Sequence, residues 1–467
     1  MRHRTHVCVL AWLWLCVSPA AASAATTIVL GRPTHQSITA NVRPDASVEI
    51  YIEYGKTSGD YPLRTSTVNA AADEPVELLL DRLVADTRYV YRLRSRPVRS
   101  TGEFIADTEH SFQTQRAPGS AFVFAVQGDS HPERENNMFH PDLYRRTLDA
   151  VAADRPDFYL TSGDDFSVDT LRTLTDATVS GRYTLQLPYL SRVGQSSPLF
   201  LVNGNHEQAA RYLLDGTANN VAVWAQNARN RFFPQPAPDG FYSGNTEVVP
   251  HIGVLRNYYA WEWGDALFVV IDPYWSSPVT VDSGLGGRGT KTANKWEITH
   301  GDDQYRWLKQ TLEQSRAKWK FVFAHHVLGT GRGGVEIADE FEWGGRNQNG
   351  SWGLSQNRPG WATPIHQLFV ATGVTVFFQG HDHLFARQEL DGVIYQSVPN
   401  PADNTYTAFN ADAYLSGTVL PNSGYLRVNV EPDAVRVDYV RQYLSQDETP
   451  SQRSGSVAFS YTISKNR

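Results

Sequence analysis

Cysteine is almost absent from this chain. Only two of the 467 residues are cysteines, Cys8 and Cys16, and both lie within the first 24 residues. If that segment is removed, the rest of the chain can form no disulfide and can offer no thiolate to a metal ion. Any metal site must then be built from histidine, carboxylate and amide oxygen ligands.

Long apolar runs are also scarce. The run Val7–Val17 follows the basic residues Arg2 and Arg4 and precedes a small-residue end at Ala22–Ala24. This layout is typical of a secretory signal peptide, which we assign to residues 1–24, and the run is too short for an ordinary membrane span. The sequence therefore predicts a secreted or periplasmic protein with no membrane attachment after cleavage. An uncleaved anchor is the alternative.

The chain has no excess of positive charge. Its formal net charge is −7. Proteins that bind nucleic acid or an anionic membrane by bulk attraction are usually basic, so this composition argues against both kinds of partner.

Residues 26–116 have the pattern of a small all-β domain. Apolar and polar residues alternate in Ser47–Gly55 and Arg88–Ser95, and His110–Gln115 indicates a closing strand. Short alternating strands separated by turn residues predict a β-sandwich. The segment Arg116–Ser120, with the sequence RAPGS, is typical of a linker, and we assign residues 121–467 to a second domain.

The second domain combines buried strands with helices. Six short apolar runs indicate strands: Phe122–Val126, Phe158–Thr161, Leu199–Val202, Leu267–Ile271, Phe321–Ala324 and Val374–Phe378. Amphipathic patterns predict a helix over Pro141–Asp154 and another with Asp302 or Asp303 as its N-cap. Strands that alternate with helices indicate an α/β domain, and three alternating segments after Gly424 predict further strands.

Five of the six runs are followed at once by candidate metal ligands. These are Asp129 and His131, then Asp164, then Asn205 with His206, then His325 with His326, and finally His381 and His383. Open α/β sheets bind ligands at the carboxyl ends of their strands, so neighbouring strands would bring these groups together. Each motif alone also fits a turn or a capping residue, but the ordered set of five predicts one site.

The donor set indicates which chemistry this site supports. Carboxylates, neutral imidazoles and an amide oxygen, with no sulfur, suit iron, manganese or zinc. They are more numerous than one tetrahedral ion needs, so we expect two ions about 3.5–4 Å apart that share one carboxylate. Such a pair can bind a phosphoryl group and lower the pKa of a water molecule.

The five blocks resemble those of the calcineurin-like metallophosphoesterases, over about Phe122 to Arg387. The preceding sandwich, through Leu80–Leu93, resembles fibronectin-type-III-like domains and the N-terminal domain of purple acid phosphatases. The resemblance implies a four-layer αββα fold, a dinuclear centre and a small phosphate ester as substrate.

The resemblance also implies a role for each residue. One ion would be held by Asp129, His131, Asp164 and His383, and the other by Asp164, Asn205, His325 and His381, so that Asp164 bridges them. His206 would be a catalytic residue above the phosphoryl group, oriented by Glu207.

Some positions depart from the purple acid phosphatase pattern. Ser167 stands where those enzymes have a tyrosine that ligates ferric iron, while His131 supplies a histidine, so we do not expect a purple colour. His325 is preferred over His326 as a ligand, with His326 as a candidate substrate contact. Asp165 and Asp382 are interpreted as turn hydrogen-bond acceptors.

Other residues in the second domain are ambiguous. Asp272 follows a strand but matches no ligand block, so it is interpreted as structural. Aromatic residues in long segments could form a substrate wall, although packing beneath loops is favoured: Trp275, Trp343, Trp352 and Trp361. Three arginines could contact phosphate, but nothing in the sequence positions them: Arg332, Arg346 and Arg387.

The sequence as a whole predicts a secreted phosphoesterase that hydrolyses phosphate esters by attack of a metal-bound hydroxide, with monoesters favoured. A nucleotide or cyclic-nucleotide phosphodiesterase is the first alternative. The second is a non-catalytic adhesion or carbohydrate-binding module with a relic metal site, which the complete set of ligand blocks disfavours.

Overall fold

The computed structural model describes residues 26–282, 284–285, 294–327 and 331–465. The predicted signal peptide at residues 1–24, with both cysteines, lies outside the described residues. Among the helices that are described, none combines the length and the apolar character needed to cross a membrane.

The first ninety or so described residues form two antiparallel sheets. One sheet has the order β1-β2-β6, and the other has β4-β3-β7-β8, with β5 also paired to β3 and β9 to β7. The strands are β1 Thr26–Gly31, β2 Ile38–Pro44, β3 Val48–Gly55, β4 Leu63–Arg64, β5 Val68–Ala70, β6 Val76–Leu80, β7 Arg88–Pro97, β8 Ile105–Ala106 and β9 His110–Gln113. Buried apolar residues from both sheets form one core. The predicted all-β region is therefore confirmed.

Two larger sheets form the centre of the second domain. The first has the order β12-β11-β10-β23-β24-β25, and the second has β13-β16-β17-β18-β19-β21-β20-β22. The strands are β10 Phe122–Gln127, β11 Phe158–Thr161, β12 Leu199–Leu201, β13 Ser243–Gly244, β14 Val248–Val249, β15 Gly253–Val254, β16 Tyr259–Trp263, β17 Ala266–Val270, β18 Trp319–Phe323, β19 Val376–Gln379, β20 Phe385–Leu390, β21 Val393–Ser397, β22 Thr418–Leu420, β23 Gly424–Val430, β24 Ala434–Arg441 and β25 Val457–Ser464.

Helices cover the outer faces of these sheets. They are α1 Pro141–Asp154, α2 Asp176–Gly194, α3 Val221–Phe232, α4 Asp302–Gln314, α5 Phe341–Gly344, α6 Leu354–Asn357 and α7 Ile365–Thr372. Residues of α1, α2 and α3 pack on the first sheet, and residues of α4, α5 and α7 pack on the second. The predicted αββα order of layers is confirmed.

The space between the two sheets is filled by aromatic side chains. Phe124 of β10 packs edge-on against Phe268 of β17, with ring centroids 5.1 Å apart, and Phe200 of β12 stacks on Trp261 of β16 at 4.0 Å. Along β17, Phe268 faces this layer while Leu267 and Val269 face the helices. Because both faces of such strands are buried, they read as continuous apolar runs in the sequence.

Helix α4 begins differently from the prediction. Its N-cap is Gly301, which has φ +79° and makes no side-chain capping bond, so neither Asp302 nor Asp303 is the cap. Asp302 instead accepts a hydrogen bond from Nε1 of Trp361, at 2.8 Å. Two short helices, α5 and α6, lie in the long segment between β18 and α7.

Candidate metal centre

Strand direction brings the predicted ligands to one edge of the two sheets. Strands β10, β11 and β12 run parallel in the first sheet, and β17, β18 and β19 run parallel in the second. Their carboxyl ends therefore meet at the same edge. The residues that follow them there are Asp129 and His131 after β10, Asp164 after β11, Asn205 after β12, His325 after β18, and His381 and His383 after β19.

One cluster of potential ligands contains Asp129, His131 and His383, whose ligand atoms all lie within 4.8 Å of one another. Oδ2 of Asp129 lies 3.1 Å from Nε2 of His383 and 4.0 Å from Nε2 of His131. All three side chains are buried. These are three of the four residues that the family resemblance assigns to the first ion; the fourth is Asp164.

A second cluster contains Asp129, Asp164, His325 and His381. Nε2 of His325 lies 2.9 Å from Oδ2 of Asp164 and 3.3 Å from Nδ1 of His381. Oδ1 of Asn205 lies 3.1 Å from the same nitrogen of His325. The structure thus brings all seven predicted ligands together, and their assignment to two ions stays a prediction.

Asp164 lies between the two clusters. Its Oδ2 is 2.9 Å from Nε2 of His325 and 4.0 Å from Nε2 of His131. Asp129 also approaches both sides, since its Oδ2 lies 3.8 Å from Nε2 of His325 as well as close to His383. Two carboxylates, rather than one, therefore face both clusters.

In each of three histidines, one ring nitrogen faces the clusters of potential ligands, and the other contacts a residue outside them. Nδ1 of His325 contacts the carbonyl oxygen of Ser162 at 2.8 Å, and Nδ1 of His131 contacts Oγ of Ser167 at 3.1 Å. Nε2 of His381 lies 3.4 Å from Oδ2 of Asp282. Metal-binding histidines usually have such an outer partner, which fixes the tautomer and the ring orientation.

The inner atoms fit a bound cation. Nε2 of His131 is buried and has no hydrogen-bond partner among the described residues. Burial opposes a charge on His325, but Asp164 and Asp129 outweigh it and raise the pKa of His325 to about 10. The two carboxylates therefore strongly favour positive charge between them, which a metal ion would supply.

The backbone is strained at four of the candidate ligands. Positive φ angles occur at His131 (47°), Asp164 (59°), His381 (68°) and His383 (61°). Non-glycine residues rarely adopt this left-handed conformation, and it is concentrated at functional sites where the surrounding structure enforces it. The packing of the two sheets thus holds these side chains in orientations that a relaxed turn would not give.

Two glycines make the close approach of the strand ends possible. A Cβ atom on Gly204 would lie 2.2 Å from Oδ1 of Asp164, and one on Gly380 would lie 2.5 Å from Oδ1 of Asp129. No side chain could be accommodated at either position without displacing a candidate ligand.

Comparison with known proteins identifies the fold and the family. A sequence model described as calcineurin-like phosphoesterase matches residues 122–385, more than half of the chain. The chain belongs to the calcineurin-like phosphoesterase family. It is therefore a metal-dependent phosphoric ester hydrolase, and the family implies a dinuclear metal site. This disfavours the alternative of a non-catalytic module.

Solved structures resemble this phosphoesterase over nearly its whole length. A purple acid phosphatase from yellow lupin (Lupinus luteus) seeds is 16% identical with a TM-score of 0.60, covering 94% of this chain and 74% of that one. PhoD is 14% identical with a TM-score of 0.67, covering 96% of this chain and 92% of that one. At such identities the likeness shows the fold alone. No curated protein sequence matches the chain.

His206 of this phosphoesterase lies beside the metal centre and is held by Asp169. Its Nδ1 is 2.7 Å from Oδ2 of Asp169, and its Nε2 is 3.7 Å from Oδ2 of Asp164. Burial opposes a charge on this histidine, but Asp164 and Asp169 outweigh it and raise the pKa of His206 to about 9. The two carboxylates therefore favour the protonated form of His206.

Glu207 does not orient His206 as expected. Its carboxylate accepts hydrogen bonds from the backbone N–H groups of Gly204 (2.6 Å), Asp165 (2.9 Å) and Phe166 (3.1 Å). Glu207 thus fastens the turn after β11 to the turn after β12. The residue that orients His206, Asp169, was missed because no motif in the sequence indicates it.

Asp165 and Asp382 also lie near the ligands and have structural roles, but they bond to residues of other segments rather than within their own turns. Asp165 accepts hydrogen bonds from Ser130 Oγ (2.6 Å) and Gln127 Nε2 (2.9 Å). Asp382 accepts hydrogen bonds from Tyr414 Oη (2.6 Å) and the backbone N–H of Gly333 (2.9 Å). Neither belongs to a cluster of potential ligands among the described residues.

His326 was a candidate substrate contact, but it is buried behind His381. Its Nδ1 contacts Tyr274 Oη at 2.7 Å, its Nε2 lies 3.3 Å from Oδ2 of Asp282, and its ring stacks on that of His381 with centroids 4.1 Å apart. His325, His326 and His381 also form a potential three-ligand group, so the preference for His325 stays a prediction. Asp282, which no sequence motif indicates, thus contacts two histidines at once.

The other ambiguous residues are mostly structural. Asp272 accepts hydrogen bonds from the side chains of Asn257 (2.8 Å) and Asn203 (3.2 Å). Trp343 and Trp361 pack in the core beneath the helices, Trp275 is buried beside a cavity of about 990 Å³, and Trp352 is 52% exposed.

Of the three arginines, Arg332 alone contacts a candidate ligand, through the carbonyl oxygen of His381 (2.6 Å), whereas Arg346 contacts Gly350 and Arg387 contacts Glu389.

Proposed function

We propose that this phosphoesterase is an exported phosphomonoesterase. The observation that carries the proposal is the convergence of seven donor side chains on one buried centre, with the imidazole of His206 at its edge. Such an arrangement can bind a phosphoryl group and protonate the oxygen that leaves it.

The proposed ligands divide into two sets that share Asp164. Asp129, His131 and His383 complete the first set, and Asn205, His325 and His381 complete the second. The donor chemistry favours iron, manganese or zinc. When bound, two such cations would withdraw charge from the phosphoryl oxygens and lower the pKa of an attacking water.

The side chains around the proposed centre have separate tasks. His206 donates its Nε2 proton to the leaving oxygen. Asp169 holds Nδ1 of that ring, so that Nε2 stays directed toward the substrate. Burial of the ligands excludes water from most of the centre, which strengthens each electrostatic interaction within it.

The proposed preference for monoesters rests on the positively charged side chains beside the candidate metal centre. Arg134 and His206 lie side by side there, with Arg134 Nη2 3.2 Å from His206 Nε2. A monoester phosphoryl group carries up to two negative charges and a diester group carries one, so this pair of donors suits the monoester better. The alternative, a phosphodiesterase, would use the same metal chemistry but would act on a substrate group with one negative charge.

Hydrolysis of two chromogenic esters tests this proposal. The protein is purified, loaded in turn with iron, manganese and zinc, and assayed on p-nitrophenyl phosphate and bis(p-nitrophenyl) phosphate. We expect a higher kcat/KM for the monoester with at least one metal. A higher kcat/KM for the diester with every active metal would overturn the monoester assignment in favour of a phosphodiesterase.

Export is tested separately. Expression of the full chain in a bacterial host, followed by fractionation and N-terminal sequencing, should yield a mature protein outside the cytoplasm that starts near Ala25. A protein retained in the cytoplasm with its first 24 residues intact would contradict export.

A further inference from the structure

We infer that Arg134 is a substrate-binding residue that selects phosphate esters with a doubly charged phosphoryl group. The inference rests on the proposed phosphomonoesterase function and names the residue that gives it specificity. No ligand block contains Arg134, which lies in the turn that follows His131.

The first argument is the position of Arg134. Its Nη2 lies 3.2 Å from Nε2 of His206, and that nitrogen lies 3.7 Å from Oδ2 of Asp164. A single atom, Nε2 of His206, therefore lies close to both the guanidinium and the Asp164 carboxylate of the candidate metal centre. Its side chain is 23% exposed, so one face of it remains open to a substrate.

The second argument is that Arg134 is held in place before any substrate binds. Oε1 of Glu133 lies 3.2 Å from Nε of Arg134 and also 3.2 Å from Nδ1 of His131. The side chain of Glu133 is only 4% exposed. One buried carboxylate thus links Arg134 to a candidate metal ligand, and a group ordered in this way loses little conformational entropy when it binds.

The third argument is the unused hydrogen-bonding capacity of Arg134. Glu133 occupies Nε, while the terminal nitrogens contact Sδ of Met138 at 3.7 Å and the ring of His206. Within the described ranges, neither terminal nitrogen has an oxygen acceptor. The terminal N–H groups of arginine can therefore donate a charge-assisted hydrogen bond to a phosphoryl oxygen.

The chemistry of the two ester classes then determines selectivity. A monoester has three non-bridging oxygens with up to two charges, so an oxygen would remain for Arg134 if the metal centre held the other two. In a diester an organic group replaces one of these oxygens. Arg134 would then lose both a hydrogen bond and a charge interaction.

A purely supportive role for Arg134 makes a different prediction. If Arg134 only held His206 in position, its loss would slow both ester classes alike, because the same p-nitrophenol group leaves from both substrates. A substrate-binding role reduces the monoester rate far more. The ratio of the two rates therefore distinguishes the roles.

The experiment uses the full-length, metal-loaded protein and the variants Arg134→Met and Arg134→Lys. Arg145→Met is the matched control, since Arg145 is an exposed arginine of α1 paired with Asp142. We expect Arg134→Met to lower kcat/KM for p-nitrophenyl phosphate by about 10- to 100-fold, the loss typical of a hydrogen bond to a charged group. The diester rate should change by less than about threefold, and Arg145→Met should change neither rate by more than about twofold. Arg134→Lys should recover part of the monoester rate.

Binding of inorganic phosphate gives a readout that does not depend on turnover. Titration calorimetry should show weaker binding to Arg134→Met by a similar factor, with the metal content and the melting temperature unchanged. Equal losses on both esters, unchanged phosphate affinity, or loss of metal from the variant would each overturn the inference. A wild-type protein that favours diesters would instead overturn the proposed function.

Discussion

Oδ2 of Asp169 lies 2.7 Å from Nδ1 of His206, and this contact determines which nitrogen of His206 faces the metal centre. A carboxylate beside Nδ1 keeps a proton on that nitrogen, so Nε2 is the atom directed toward Asp164. The pair is therefore a unit, in which Asp169 acts on the substrate only through His206.

Replacement of the Asp169 carboxylate should slow catalysis but leave the bound metal in place. In Asp169→Asn the amide can donate to Nδ1, which favours the wrong tautomer of His206. We expect kcat to fall by about 10²- to 10⁴-fold, the usual contribution of a general acid. Elemental analysis should find the same metal content as in the wild type. An unchanged kcat, or an unchanged pH dependence of kcat, would contradict the role assigned to the pair.

Asp164→Asn should affect the metal centre itself. This carboxylate faces both clusters of potential ligands, so its neutralisation weakens both proposed ions at once. We expect at least about a 100-fold loss of activity, since even outer partners of metal ligands contribute 10- to 100-fold. Asp149→Asn is the control, because Asp149 is an exposed acid paired with Arg192. Near-normal rates and metal content in Asp164→Asn would refute the bridging role.

Metal removal should destabilise the folded protein. Oδ1 of Asp129 and Oδ1 of Asp164 accept backbone N–H groups of His381 and His206. Without cations, imidazoles are left to balance the charges of these buried carboxylates, and the site loses the positive charge that the carboxylates strongly favour. Ions that bind only the native state stabilise it by about 2.7 kcal/mol at a hundredfold excess over Kd. Chelation should therefore lower the melting temperature, and reloading should restore it. A melting temperature that does not respond to either step would contradict metal binding at the centre.

Glu342 should contribute stability that depends on pH. This fully buried carboxylate accepts hydrogen bonds from Thr299 Oγ1 (2.5 Å) and the backbone N–H of His300 (3.0 Å), and it pairs with Arg358. Burial by itself would raise its pKa, but His300 and Arg358 lower it on balance. At pH 7, Glu342→Gln should lose about 3–5 kcal/mol of unfolding free energy, as when a buried ion pair is broken.

The sign of this pH dependence follows from the lowered pKa. The stabilisation is complete above the unfolded-state pKa of about 4.3 and is lost as the pH falls toward the lower folded-state pKa. The difference between wild type and Glu342→Gln in urea unfolding should therefore be constant from pH 7 to about pH 5 and shrink below it. A difference that grows in acid would contradict the assignment.

The centre was predictable because its ligands occur in short motifs directly after buried strands. Phe377 and Phe378 give a clear strand signal, and Gly380 with His381 and His383 follows at once. The direction of the strands then brings distant motifs together. Helix α1 was also predictable, since a proline begins it and its apolar spacing continues to Asp154.

The supporting residues could not be predicted in the same way. Asp169 and Asp282 reach histidines far along the chain, and nothing local to either residue indicates a partner. Helix α2 was missed because Gly181 and Pro188 interrupt its pattern, while its stability comes from Tyr183 and other side chains packed in the tertiary core. Such contacts exist only after the sheets have formed.

The central claim is that two metal ions share Asp164, and anomalous X-ray diffraction from crystals of the metal-loaded protein tests it most directly. The account predicts two anomalous peaks about 3.5–4 Å apart, one beside His131 and His383 and the other beside His325 and His381, with the carboxylate of Asp164 between them. A single peak, or peaks that leave Asp164 without a metal contact, would contradict it.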